Sequence, residues 1–445
     1  MAKYRCPQEW SEWVDWLAAG LHGRCRWRLP VLLTGILFAV GRRTVASWLR
    51  GAGVHDDWKA YYYFISMVGR KADSIAARLL ELLLARLPTG PRLVFALDDT
   101  PTKRYGPQVE GAGIHHNPTP GPADSKYVYG HIWVTLALIV RHAFWDTIGL
   151  PILAKLYIRV KDVDKLPRYY RWQFQTKLQQ AAELIRWVAD LTAGTGKRVW
   201  IVADGFYAKR PVIKAARALG VVLISRLRKD ATLWTLPPPL KKGQRRGRGQ
   251  PRKYGTQRIS LAKRAGQSRG WIEVECVQYG QRVRKKVKTF LATYRPAYGL
   301  IRVVIVQEPK GPQFFFSTDP QVSVEEILEV FADRAAIEQD FHDVKEVEGA
   351  GQQQVRHLWA NVGAWHLNLW MHTLVELWAW NQPKKQICDR SASPWDDADR
   401  RPSHADRRKA LRRWMLREEY SALARRWQLP RKITAVVQKL LNLAG

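Results

Sequence analysis

The chain has 445 residues, 46% of them hydrophobic, and its 73 Lys and Arg outnumber 39 Asp and Glu to give a formal net charge of +34. The hydrophobic fraction excludes a disordered chain. Four scattered cysteines argue against a disulfide framework or a cysteine-built structural zinc site, and they fit a cytoplasmic setting. The charge predicts salt-sensitive binding to polyanions, above all nucleic acid, although a merely soluble basic protein is the alternative. The longest apolar run, residues 29–40, is too short to cross a bilayer, so no membrane partner is expected.

The first segment, residues 1–90, is predicted to be a helical domain. Residues 32–40 have the composition of a buried helix, and Thr44 or Arg43 is expected to open a short second helix. Such a pair resembles a helix-turn-helix, whose second helix can enter a DNA major groove, and a plain helical bundle is the alternative. Residues 61–87 are predicted to form one long amphipathic helix.

Residues 91–230 change to a mixed α/β order. Two buried apolar strands are predicted, and each ends in a carboxylate. Residues 92–97 are followed by Asp98 and Asp99, before Pro101, and residues 198–203 are followed by Asp204. Residues 127–140 and 148–159 are predicted to form a hairpin of long strands between them. Open α/β sheets build their sites at such strand ends. A single carboxylate there could be only a helix cap or a turn residue, but two favour a shared site.

A β-rich insertion with a basic arm is predicted for residues 231–312. The arm, Lys241 to Lys253, is too dense in Lys, Arg and Gly for a folded surface and is expected to contact DNA phosphates. Its candidate DNA-binding residues are Arg246, Arg248, Arg252 and Lys253. The α/β pattern resumes over residues 313–381, and residues 382–445 are predicted to be a linker followed by basic helices.

The segment after the insertion contains the strongest chemical pattern. Capping-box residues Ser323 and Glu326 predict a helix start, and the helix is expected to run through residue 345. At about 100° per residue one face carries a single stripe: Phe331, Arg334, Glu338, His342 and Lys345. Three acidic residues point away from the stripe: Asp333, Asp340 and Asp343. The alternative is a solvated face on which Arg334 and Glu338 form an ordinary i,i+4 pair.

Three carboxylates from distant parts of a chain can hold two magnesium ions through oxygen ligands. Two such ions can activate a water or a 3′-hydroxyl and stabilise the leaving oxygen of a phosphoryl displacement. Arg334 and Lys345, beside Glu338, would neutralise the phosphates that flank the scissile bond. A glycosidase also uses paired carboxylates, but it has no need of so large a positive charge.

The residues of this stripe have a spacing that resembles the signature motif of a known protein family. Phe331-x2-Arg334-x3-Glu338-x6-Lys345 is similar to the Tyr-x2-Arg-x3-Glu-x6-Lys signature of a large group of bacterial insertion-sequence transposases, which belong to the DDE superfamily. The resemblance covers residues 91–380, and three further motifs carry it: Asp98-x-Thr100, Val202-Ala-Asp204-Gly-Phe-Tyr207 and Arg248-Gly-Gln-Pro-Arg-Lys-Tyr-Gly255. Phe331 departs from the signature, and any hydrogen bond from the tyrosine hydroxyl to a phosphate is lost.

The resemblance implies an α/β fold with a ribonuclease H-like mixed sheet flanked by helices. It implies that Asp98, Asp204 and Glu338 are catalytic and hold two Mg²⁺ ions, which Mn²⁺ can replace. The resemblance does not settle whether Asp98 or Asp99 is the first of these residues, because the strand is buried on both faces, and Asp98 is preferred only for its match to Asp-x-Thr. The implied partners are double-stranded DNA, as transposon ends and target, and a second copy of the chain when DNA is bound. The implied location is the bacterial cytoplasm, at the nucleoid. The alternative is an inactive or repurposed transposase that binds DNA without chemistry.

Overall fold

The computed structural model describes residues 4–117, 125–238, 252–388 and 399–427, together with residues 250, 390, 395–397, 430, 433, 436, 437 and 440. The chain begins with five helices: α1 (Gln8–Ala18), α2 (Arg28–Phe38), α3 (Val45–Gly51), α4 (Trp58–Arg70) and α5 (Ala72–Arg86). Strands and helices then alternate: β1 (Arg92–Lys103), β2 (Gly113–His116), β3 (Tyr127–His142), β4 (Asp146–Tyr157), α6 (Val160–Val163), α7 (Lys177–Thr192), β5 (Arg198–Ala203), α8 (Arg210–Ala218) and β6 (Val222–Arg226).

The second half of the chain is strand-rich first and helical afterwards. Its strands, with one short helix among them, are β7 (Leu233–Trp234), β8 (Arg258–Ile259), α9 (Leu261–Gly266), β9 (Ile272–Gln278), β10 (Gln281–Tyr294), β11 (Gly299–Val306) and β12 (Gln313–Ser317). The remaining helices are α10 (Val324–Asp333), α11 (Ala335–Glu346), α12 (Leu358–Ala379), α13 (Lys384–Ile387) and α14 (His404–Trp427).

All of the strands belong to one mixed sheet. Its order is β2-β3-β1-β5-β6-β12-β11-β10-β7-β8, with β4 paired to β3 and β9 paired to β10. The strands β4, β3 and β1 are antiparallel, and β5 and β6 then run parallel to β1. Three antiparallel strands followed by two parallel ones are consistent with a ribonuclease H-like sheet. The strands of the insertion extend this same sheet, because β12 pairs with β6 and then with β11.

The first sheet strand is longer than predicted. The prediction that it ends at the carboxylates, before Pro101, is wrong, because β1 continues through Pro101 to Lys103. Arg104 donates its N–H to the Tyr129 carbonyl of β3. Successive residues of a strand direct their N–H groups to alternate sides, so the nitrogen of Pro101, three residues earlier, faces away from β3. On that side the pairing with β5 stops at Leu97, and the proline therefore removes no ladder hydrogen bond.

Two helices predicted as continuous are each divided. Residues 61–87 form α4 and α5, which meet at Lys71, where the backbone has φ −106° and ψ 13°. The helix after Ser323 is divided into α10 and α11 at Arg334. A break of one residue leaves the apolar period almost unchanged, so the sequence pattern cannot detect it. Arg334 itself keeps right-handed helical angles, φ −54° and ψ −29°, so the stripe survives the junction.

The N-terminal helices share one apolar core with the sheet and α12. Helix α4 lies against α12 at backbone contact, since a Cβ on Gly69 would lie 2.0 Å from the Trp359 carbonyl oxygen and one on Gly363 1.9 Å from that of Ile65. Helix α12 is buried along almost its whole length. Among the residues that the structure describes, none of the helices combines the length and apolarity that a membrane span requires.

Candidate active site

The parallel pairing of β1 and β5 brings two predicted carboxylates to one edge of the sheet. Leu97 of β1 is in register with Ala203 of β5, so the next residues, Asp98 and Asp204, are neighbours. Both line a cavity of about 1240 Å³, and Glu338 lines it as well. The three carboxylates that the sequence analysis selected therefore surround one space.

Arg334 links the carboxylates of the sheet and the helix. Its Nη1 donates to Asp98 Oδ2 at 2.7 Å, and its Nη2 donates to Glu338 Oε1 at 2.6 Å. Asp98 and Glu338 thus lie within the reach of a single guanidinium group. The Glu338 side chain is 57% exposed, whereas the Arg334 side chain that it pairs with is only 16% exposed. The glutamate is therefore open to the cavity, and the arginine that holds it is mostly buried.

Asp99 is held by different groups. Its Oδ1 accepts from the Tyr207 hydroxyl at 2.7 Å, and its Oδ2 accepts from Lys177 Nζ at 2.6 Å. Burial and the neighbouring carboxylates raise the pKa of Tyr207, which keeps its hydroxyl protonated as a donor. Both oxygens of each aspartate accept a hydrogen bond, but only Asp98 shares a partner, Arg334, with Glu338. This environment favours Asp98 as the first member of the carboxylate set.

The Asp98 carboxyl is in surroundings that oppose its negative charge. Burial raises the pKa of Asp98 to about 7, helped by the charges of Asp204 and Asp99. Arg334 and the Asp99 N–H, which donates to Asp98 Oδ1 at 2.8 Å, act in the opposite direction. Such carboxylates are stabilised in their ionised form by a cation placed between them.

Two of the remaining stripe residues line this cavity, and the third packs on the sheet. Lys345 lines the cavity and donates to the Thr100 hydroxyl at 3.1 Å, which ties α11 to β1, and burial lowers the pKa of its ammonium group. His342 lines the cavity. Phe331 packs on Phe315 with ring centroids 4.8 Å apart, and the Arg334 guanidinium lies 5.5 Å from its ring centroid.

Two basic residues that no sequence motif singled out reach the site from distant parts of the chain. Arg42, in the turn between α2 and α3, lines the cavity and is exposed. The next residue, Arg43, fixes this turn: its N–H donates to Gln352 Oε1 at 2.8 Å, and its carbonyl accepts from Gln353 Nε2 at 2.9 Å. Lys177 was also missed. Arg42 lies in the turn of the predicted helix pair and Lys177 lies in no local motif, and neither pattern pointed to this cavity.

Two of the four candidate residues of the basic arm lie in the described part of the chain. Arg252 and Lys253 are exposed and are not among the residues that line the cavity. Arg246 and Arg248 lie outside the described residues. The location of the arm relative to bound DNA therefore stays a prediction.

The donor set of the cavity suits a hard divalent cation. Asp98, Asp204 and Glu338 offer carboxylate oxygens, which Mg²⁺ and Mn²⁺ prefer. Burial is the main cause of the raised pKa of Asp98, and the charges of Asp204 and Asp99 add to it. These three residues therefore fit a shared divalent cation site.

Comparison with known protein families places the chain in a family. A family described as DDE superfamily endonuclease matches residues 17–284, more than half of the chain. The matched span contains Asp98 and Asp204 and ends before Glu338. A search of curated proteins gave no match. With the carboxylates, the sheet and this match in agreement, the chain belongs to the DDE superfamily endonucleases.

Proposed function

We propose that this chain is a DNA transposase that cleaves transposon ends and transfers them to target DNA by two-metal phosphoryl transfer. The observation that carries the proposal is the grouping of Asp98, Asp204 and Glu338 around one cavity in a member of the DDE superfamily. The net charge of +34 supports double-stranded DNA as the substrate. We further propose that two copies of the chain act as a dimer on DNA, in the bacterial cytoplasm at the nucleoid.

In this function Asp98, Asp204 and Glu338 hold two Mg²⁺ ions, or Mn²⁺ in their place. Such ions, when bound, activate the attacking hydroxyl and stabilise the leaving oxygen. The residues of the chain supply the geometry. Arg334 holds Asp98 and Glu338 at a fixed separation, and Thr100 holds Lys345 on the wall of the cavity.

The basic residues around the cavity position the DNA strand. Lys345 is proposed to contact a phosphate that flanks the scissile bond. Arg42, which belongs to the N-terminal helical region, lines the same cavity. Arg334 is proposed to neutralise a phosphate as well as to hold the carboxylates. The basic arm, with Arg246, Arg248, Arg252 and Lys253, is proposed to contact duplex phosphates farther from the cut, because phosphate contacts dominate affinity.

The test separates binding from cleavage on DNA that carries the gene with its native flanks. Glu338→Gln should leave DNA binding close to wild type and abolish Mg²⁺-dependent cleavage, because it removes a cation ligand and no phosphate contact. Lys345→Ala should weaken both. The matched control is Glu325→Gln, an exposed carboxylate on the neighbouring helix that does not line the cavity, and it should change neither.

A second candidate function is DNA binding without catalysis. It would be favoured if the wild-type chain bound the flanking DNA but cut it in neither Mg²⁺ nor Mn²⁺. Equal cleavage by the wild-type chain and Glu338→Gln would contradict the proposed site itself.

A further inference from the structure

A second group of ionisable side chains lies on the opposite side of the catalytic helix α11. A cavity of about 280 Å³ is lined by residues of α11, α12, β4 and the start of α14. Its polar lining includes Asp340, Asp343, His372, Glu376 and His404, all buried. Asp340 and Asp343 belong to the acidic set that the helical period points away from the catalytic stripe.

We propose that this cavity binds one Zn²⁺ ion or a similar transition-metal cation, with His372, Glu376 and His404 as ligands. One ligand atom from each of these residues lies within 4.8 Å of the other two. His372 and Glu376 are four residues apart on α12 and so share a face of the helix. His404 opens α14 and approaches them from the other side.

Within the described residues, several buried polar atoms of the cavity lining have no hydrogen-bond partner, and two of them are acceptors that bear on a ligand. In the described part of the chain, neither His372 Nδ1 nor Asp340 Oδ2 has a hydrogen-bond partner. Both side chains are at least nine-tenths buried, and Asp340 Oδ1 lies 3.9 Å from His372 Nε2. Buried polar atoms are rarely left without a partner, because their desolvation is then not compensated. A bound cation gives His372 a partner and places positive charge beside Asp340.

Carboxylates fix the orientation of the His404 ring, as a carboxylate commonly does for a histidine that binds a metal. Its Nε2 lies 2.9 Å from Glu348 Oε1, and its Nδ1 lies 2.7 Å from Glu376 Oε1. Arg408 fixes Glu348 in turn, with Nε donating to Oε2 at 3.1 Å. A carboxylate that accepts from one ring nitrogen and directs the other toward a cation is the usual support of a histidine ligand.

Binding exchanges a proton for the cation. Between two carboxylates, both ring nitrogens of His404 carry protons. The cation replaces the proton on Nδ1, between His404 and Glu376, and that proton leaves to solvent. The Nε2–H continues to donate to Glu348. Arg407 Nη1 donates to Glu376 Oε1 at 3.1 Å and lies 2.8 Å from Oε2, so its charge stays beside that carboxylate.

The donor set distinguishes this cavity from the catalytic one. Two imidazoles and a carboxylate suit Zn²⁺ and related transition metals, whereas Mg²⁺ prefers oxygen ligands alone. The His372 and His404 rings are now stacked, with centroids 4.1 Å apart. Tetrahedral coordination requires one ring to rotate and the ligand atoms to approach to about 3.3 Å.

The experiment measures metal content and not activity. The full-length chain is treated with a chelator, reloaded with Zn²⁺, desalted and analysed by mass spectrometry of the metal. We expect one Zn²⁺ per wild-type chain and one per Asp98→Asn/Asp204→Asn chain, which lacks two catalytic carboxylates. We expect no retained Zn²⁺ in His372→Ala. The matched control His357→Ala removes an exposed histidine at the start of α12 and should retain the ion.

Two outcomes would overturn the proposal. If the wild-type chain retained less than one Zn²⁺ per chain, His372, Glu376 and His404 would belong to an ion-pair network and not to a metal site. Zn²⁺ kept by His372→Ala but lost by Asp98→Asn/Asp204→Asn would assign the ion to the catalytic carboxylates. If His372→Ala does not fold, as judged by circular dichroism, Co²⁺ is titrated into the wild-type chain. The visible absorption of tetrahedral, histidine-ligated Co²⁺ is then expected, and a spectrum without it would equally overturn the proposal.

Discussion

Adjacent residues can have distinct roles when a strand directs them into different surroundings. Asp98 shares Arg334 with Glu338, whereas Asp99 accepts from Tyr207 and Lys177. The sequence could not separate these two aspartates, because the strand is buried on both faces and alternation alone gives no preference. The distinction depends on side chains more than 70 residues away.

Asparagine substitutions test the difference between these two aspartates. Asp98→Asn should reduce DNA cleavage more than about 100-fold, because even groups that only support metal ligands contribute 10–100-fold. Asp99→Asn should instead lower the free energy of unfolding by roughly 1–3 kcal/mol, the usual effect of weakening hydrogen bonds to a charged group. Cleavage rates and urea denaturation measure the two effects. Wild-type cleavage by Asp98→Asn would contradict the assignment.

Arg334→Lys tests whether the guanidinium is required. The two terminal nitrogens of Arg334 reach two different carboxylates, and one ammonium group cannot reproduce that geometry. We expect transposition to fall at least about tenfold at wild-type expression, the loss of one charged hydrogen bond being worth about 1.5–3 kcal/mol. If the residue were only half of an exposed i,i+4 pair, the cost would be about 0.3–0.5 kcal/mol and activity would be nearly unchanged.

At the scale of elements, the sequence identified most of the helices and strands but not all of their limits. The hairpin of β3 and β4 and the strand before Asp204 occur as predicted, because long apolar runs with clear boundaries determine them. The division at Arg334 and the passage of β1 through Pro101 were missed. Both depend on neighbouring elements, namely the packing around α11 and the early end of β5.

The start of α10 gives a prediction about pH. Ser323 and Glu326 form the predicted capping box, and Arg92 pairs with Glu326. Burial acts to raise the pKa of Glu326, but the Ser323 N–H and Arg92 outweigh it and hold the pKa below its ordinary value. A lowered folded-state pKa stabilises the fold above the unfolded value, and this contribution is lost as the pH falls through the folded value.

Glu326→Gln should therefore destabilise the chain by about 0.5 kcal/mol at pH 7, the size of a part-exposed ion pair. The difference from wild type should shrink as the pH falls below 4.5. Urea denaturation at a series of pH values measures it. The comparison variant is Ser323→Ala, which removes the cap at every pH and should cost about 1 kcal/mol throughout. A Glu326→Gln effect that did not depend on pH would contradict the ion-pair explanation.

At the scale of the whole molecule, separate regions contribute to one surface. The turn at Arg42 lines the same cavity as Asp98, Asp204 and Glu338, and the N-terminal helices share their core with α12. The sequence predicted a helical region and a β-rich insertion. It could not show that the insertion strands extend the catalytic sheet, because strand pairing between distant segments leaves no local pattern.

The basic arm is tested by replacing Lys241–Lys253 with an uncharged Gly, Ser and Gln segment of equal length. DNA binding should weaken, and the dependence of log K on log salt should become flatter by about 0.9 for each phosphate that the arm no longer neutralises. Cleavage at saturating DNA should change much less, since Arg252 and Lys253 do not line the carboxylate cavity. An unchanged salt slope would mean that the arm has another role.

The most direct test of the central claim is a structure of the chain bound to its transposon-end DNA with Mn²⁺, with the ions located by anomalous scattering. We expect two ions about 3.5–4 Å apart, ligated by Asp98, Asp204 and Glu338, beside the scissile phosphate. Carboxyl groups separated by well over about 10 Å, or ions bound elsewhere, would contradict the account, because ions at the two-metal spacing could not then share these ligands.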